Sequence, residues 1–132
     1  MNATILAHRI LTAIPSYKKF GDTNDWLLKL SNQYLGEPIG CYRNSEFSDD
    51  VIGIYTNGLV WFEGDNLIEL RFSDISELVL ANGKESEGLL LTVQDGRQLE
   101  LPVKGQRGRF FDSMEMLRFL HRVIQNLRRQ KQ

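Results

Sequence analysis

The densest chemistry of the chain lies in six residues, Lys104-Gly105-Gln106-Arg107-Gly108-Arg109, placed just before a C-terminal helix. Three cations and two glycines at that position bring free backbone N–H groups, the positive end of a helix dipole and fixed charge to one place. That combination suits a phosphate or carboxylate. Arg118 and Arg122 continue the basic surface along the helix. Lys104, Arg107, Arg109, Arg118 and Arg122 are therefore the candidate anion-binding residues. The same hexapeptide also suits a plain strand-to-helix linker.

Nucleophilic catalysis needs a serine or cysteine beside a base. The chain has two histidines, His8 and His121, and neither has such a neighbour in sequence. The single cysteine, Cys41, sits between Gly40 and Tyr42 in an apolar run and reads as a buried, inert thiol. Carboxylates recur in pairs (Asp49 and Asp50, Asp74 and Glu77, Glu85 and Glu87), mostly in expected loops where solvated charge is the default. None has the ordered spacing of a calcium loop. The expectation is a protein that is no enzyme and carries no metal or cofactor. Basic residues are not interleaved with exposed aromatics, which argues against nucleic acid as a partner.

Charge is divided unevenly. Residues 51–100 carry nine acidic and three basic side chains, and residues 101–132 carry eight basic and two acidic ones. Either the two regions pair internally, or one faces a charged partner. An acidic sheet surface of this kind would suit an inhibitor or immunity-type protein that binds a basic partner.

These residues need elements to hold them. Leu6, Ile10, Ala13, Ile14 and Tyr17 recur at helical spacing from a candidate cap at Asn2, and Pro15 stops that helix. A second helix is expected from Asn24 to Leu35, on the stripe Trp26, Leu27, Leu30 and Tyr34, with residues 16–21 joining the pair. Each helix has one apolar face that must find a partner. Trp26 and Tyr34 are the candidate partner-binding residues, on another protein or a second copy.

Seven strands follow: Ile39–Arg43, Val51–Thr56, Leu59–Phe62, Leu67–Phe72, Ile75–Ala81, Leu89–Gln94 and Arg97–Val103. Asn57-Gly58 predicts a hairpin with positive φ at both residues, and Asp95-Gly96 predicts a second hairpin. The last helix shows Met116, Phe119, Leu120, Val123, Ile124 and Leu127 on one face, and Arg118, Arg122, Gln125 and Arg129 on the other. Asp112 and Glu115 read as its capping pair.

The Phe72-Ser-Asp-Ile75 corner, the Leu91–Val103 hairpin and the terminal helix together resemble the pleckstrin-homology-like superfold, in the style of GRAM and bacterial PH-type domains, over residues 39–129. The resemblance implies an α+β domain: an antiparallel β-barrel or sandwich of about seven strands capped by the helix. A helical pair at 1–38 packs on the domain formed by 39–132. The superfold implies a scaffold used for binding rather than catalysis. Phosphoinositide-binding members carry a basic cluster at the first hairpin. Here those turns hold Glu63 and Asp65 and no Lys or Arg.

The function expected is therefore a non-catalytic protein-interaction module, with a protein partner or a second copy bound. The alternative is a peripheral anionic-lipid or phosphate binder that uses the 104–109 loop and the helix face. No run of about eighteen apolar residues occurs, so no transmembrane segment is expected. One cysteine and the lack of a signal-peptide pattern read as cytoplasmic.

Overall fold

A computed structural model gives the fold. It describes residues 2–21, 35–45, 50–81, 88–104 and 109–130, at 109 and 110 for the backbone only. The expected helix at 24–35, with Trp26 and Tyr34, lies outside the described residues except for Leu35. Arg107 lies outside them too, as does the side chain of Arg109.

Helix α1 (Ala3–Ile10) starts where expected: the Asn2 side chain accepts the Ile5 N–H at 2.9 Å. A short 3-10 turn, Leu11–Ala13, carries it on, and Ile14 is extended at φ −96°, ψ 121°. That is the conformation which a following proline enforces.

Tyr17 is not on the helix. It opens a short strand, β1 (Tyr17–Lys19), in the stretch expected to be a loop, and pairs with Tyr42. Three residues are too few for a periodic signal, and the strand exists because β2 supplies its hydrogen-bonding edge.

Strands β2 (Pro38–Arg43), β3 (Val51–Tyr55), β4 (Gly58–Glu63) and β5 (Asn66–Arg71) continue an antiparallel five-stranded sheet in the order β1-β2-β3-β4-β5. A 3-10 turn at Phe72–Asp74 leads into a three-stranded antiparallel sheet of β6 (Ile75–Leu80), β7 (Gly88–Val93) and β8 (Gln98–Pro102). The architecture is α+β. Eight strands are described rather than seven, and β5 and β6 do not pair, so among the described residues no closed barrel forms.

One hairpin differs in kind from the expectation. No described non-glycine residue has positive φ, and Gly58 does not either, so Asn57-Gly58 does not form the primed two-residue turn. Long-range bonds shape this turn instead. Thr56 N–H donates to the Glu37 carbonyl, Asn57 N–H to Leu35, and Phe72 N–H to the Asn57 carbonyl, each at 2.9 Å. Gly58 is needed for close approach: a Cβ there would overlap the Leu70 carbonyl oxygen. The other tight turns follow local rules, with Gly64 at φ +63° and Gly96 at φ +93°.

Helix α2 (Arg109–Gln130) closes the core. Its buried face, Met116, Phe119, Leu120, Val123 and Ile124, shares one hydrophobic core with side chains of α1 and of both sheets, among them Leu6, Trp61, Phe72 and Leu89. Phe119 stacks edge-on to Phe72, with ring centroids 6.2 Å apart. Each large side chain buried this way contributes about 1.5 to 3 kcal/mol before entropy is counted.

Asp112 does not cap the helix. The helix begins three residues earlier, and the Asp112 side chain is buried and accepts the Tyr42 hydroxyl at 2.6 Å. Glu115 pairs with Arg118 at 3.4 Å.

Candidate functional site

The 3.6-residue repeat that buries one face of α2 leaves Arg118, His121, Arg122, Gln125, Arg128 and Arg129 on the solvent side. No acidic residue occurs from Met116 onward. The exposed side of the helix is therefore a positively charged ridge, with an open cleft on each flank.

The first cleft, of ≈ 330 Å³, lies between α2 and strand β6. Ser76, Glu77 and Leu78 form one wall, and His121, Gln125 and Arg128 belong to the other. Among the described residues β6 is an edge strand. The Ala81 N–H bonds inward to the Gly88 carbonyl, and Val79 pairs with Leu90. Strand alternation therefore turns the N–H and C=O groups of Leu78 and Leu80 toward the free edge. Arg128 Nη2 donates to the Ser76 carbonyl at 3.2 Å and covers one acceptor at this edge.

His121 and Glu77 share this cleft, but no hydrogen bond or ion pair joins them among the described residues. The Ser76 hydroxyl donates to the Thr92 carbonyl at 2.9 Å, so its proton is directed to backbone and not to a base. His8 is exposed on α1, and Cys41 is buried in β2. Among the described residues no group of three or more His, Cys, Asp or Glu could hold a metal ion.

The second cleft, of ≈ 410 Å³, lies between α2 and α1. Arg122, Gln125, Asn126 and Arg129 line it from α2, and Leu6 from α1. Gln125 stands on the crest between the two clefts and lines both.

The anion-binding candidates do not gather in one place. Lys104 is spent on the strand ends: its N–H donates to Asn44 Oδ1 at 2.8 Å and its Nζ to Asp50 Oδ2 at 2.9 Å, while Asn44 Nδ2 donates to the Pro102 carbonyl. Burial alone would raise the Asp50 carboxyl. Hydrogen bonds from Ser45, Lys104 and Asn44, with the Lys104 charge, outweigh burial and hold it below the usual carboxylate range. Arg118 is tied to Glu115. Of the five, only Arg122 is a described cation without a described partner.

Arg129 shares that state and that cleft. Its offset of seven residues from Arg122 returns it to the same side of the helix, which was legible in sequence; the absence of a partner was not. Among the described residues no helix is long and apolar enough to cross a membrane. Comparison with known proteins finds no protein-family model and no curated protein that matches the chain.

Proposed function

We propose that the protein is a non-catalytic protein-interaction module of the pleckstrin-homology-like type, which binds an extended segment of a partner by adding it as a strand beside β6. The order of elements supports the family reading. A four-strand meander (β2 to β5) is followed by a three-strand meander (β6 to β8) and a helix packed on the core. Helix α1 and strand β1 are additions to that pattern.

The observation that carries the binding mode is the edge of β6, which no described strand joins. The outward main-chain groups of Leu78 and Leu80 have no described partner, and Leu78 lines a cleft walled by α2. An extended peptide satisfies both at once, while its alternate side chains reach the cleft. Val79, at 45% exposure, offers apolar contact on the same strand.

Selection of a displayed random-peptide library on the purified protein tests this. Bound peptide is expected to slow amide hydrogen exchange at Leu78 and Leu80. A selection that yields no binder, or a binder that leaves those two amides unchanged, rejects the reading.

A further inference from the structure

We propose that the cleft between α1 and α2 is a docking site for an acidic segment of a protein partner, gripped by Arg122 and Arg129. This cleft is on the opposite flank of α2 from β6, and the inference stands independently of strand addition.

The first argument is the state of the arginines. Arg9, Arg43, Arg71, Arg97, Arg118 and Arg128 each have a hydrogen bond, ion pair or other polar or ring interaction. Arg122 and Arg129 are the only described arginine side chains with none among the described residues, and both wall one cleft. No carboxylate lines that cleft. Guanidinium groups left this way are free to form charge-assisted, forked hydrogen bonds with an incoming anion.

The second argument is spacing. Seven helical residues separate the two arginines by about 10 Å along the axis. Two carboxylates carried on one polypeptide can each take one of these two arginine forks. Gln125 lies between them on the same wall, and its amide both donates and accepts, which matches a peptide group.

The third argument is shape. A flat bilayer does not enter a cleft that sits between two helices. A protruding chain segment does, and it meets Leu6 at the α1 side. The cleft carries no aromatic side chain for bases to stack on, which disfavours a single-stranded nucleic acid.

The test is fluorescence anisotropy with a labelled peptide of alternating Glu and Ala. The comparison probes are the same peptide with Gln for Glu, a single-stranded oligothymidylate, and vesicles containing phosphatidylserine. The Glu peptide is expected to bind, and to weaken as salt is raised. The double variant Arg122→Glu with Arg129→Glu is expected to lose about tenfold or more in affinity, and the Gln pair at the same positions to lose less. Arg97→Glu, at the exposed β7–β8 turn, is expected to bind as wild type. Circular dichroism checks that each variant is folded, which exposure of both arginines favours. Failure of the Glu peptide to bind overturns the proposal. So does equal binding of the Gln peptide, indifference to charge reversal, or tighter binding of the oligonucleotide or the vesicles.

Discussion

The Tyr42 hydroxyl donates a 2.6 Å hydrogen bond to Oδ2 of Asp112 in the protein interior, which joins the C-terminal end of β2 to the first turn of α2 across seventy positions of sequence. Both residues are at most 1% exposed, and Asp112 Oδ1 has no hydrogen-bond partner among the described residues. Next to it, the Ser113 hydroxyl donates to the Val103 carbonyl at 3.3 Å. The two bonds fix where the helix begins relative to both sheets. Tyr42→Phe takes away the only described donor to a buried carboxyl group, so a loss of about 1 to 3 kcal/mol is expected in urea denaturation. Asp112→Asn retains an acceptor and should cost less. If Tyr42→Phe is neutral, the bond does not anchor the helix.

Tyr17 presents the opposite case. Its hydroxyl is buried with no described partner, and burial, with a smaller contribution from the nearby Cys41 charge, pushes its pKa up to about 12. The unfolded chain ionises near 10. Stability from the neutral phenol is therefore complete below pH 10 and is lost as pH rises toward 12. Tyr17→Phe is expected to change stability by less than about 1 kcal/mol at pH 7, because no hydrogen bond is lost. It should also flatten the alkaline limb of a melting-temperature profile, and an unchanged alkaline limb would refute this assignment.

Asp50 titrates at the other end of the scale. Its carboxyl is held below the usual range, so the Lys104 pair contributes fully above about pH 4 and is lost as pH falls through the depressed value. The contribution is small, below about 1 kcal/mol, because the Lys104 side chain is half exposed and solvent screens it. Asp50→Asn should lose slightly at neutral pH and converge on wild type in acid. Lys104→Gln should leave binding of the Glu peptide unchanged, since Lys104 is already committed. A marked loss of that binding would restore the 104–109 loop as the anion site.

Gly58→Ala is expected to cost about 1 to 3 kcal/mol by overpacking, since the added methyl meets the Leu70 carbonyl and lies 2.6 Å from the Leu35 side chain. The backbone there is not left-handed. At Gly64, with φ +63° and open space around it, alanine should cost about 1 kcal/mol for the opposite reason. Denaturation midpoints of the two variants, together with a Leu35→Ala background that relieves part of the first cost and none of the second, separate the two causes.

Much of this fold was legible because its signals are local. The apolar face of α2 from Met116 to Ile124, the Asn2 cap and the stop at Pro15 follow from spacing and backbone sterics alone. What stayed hidden depends on partners distant in sequence. Asp112 resembles a cap until Tyr42 approaches it. Asn57-Gly58 resembles a primed turn until Leu35, Glu37 and Phe72 seize its backbone. β1 has no pattern of its own, only an edge to join. The candidate site divides in the same way: sequence locates Arg118, Arg122 and Arg129 on one side of a helix, and only geometry tells that Glu115 occupies the first while the other two stand open. Trp26 and Tyr34 lie outside the described residues, and their role as a partner surface stands as a proposal.

Cys41 gives the molecule a clock. The thiol is 1% exposed in β2, set in register between Lys18 and Gly53 and packed against Val51. An alkylating reagent reaches it only when the packing around this part of β2 opens. With one cysteine in the chain, each adduct reports one such opening. A slow thiol reaction therefore times the breathing of the five-stranded sheet, without any added label.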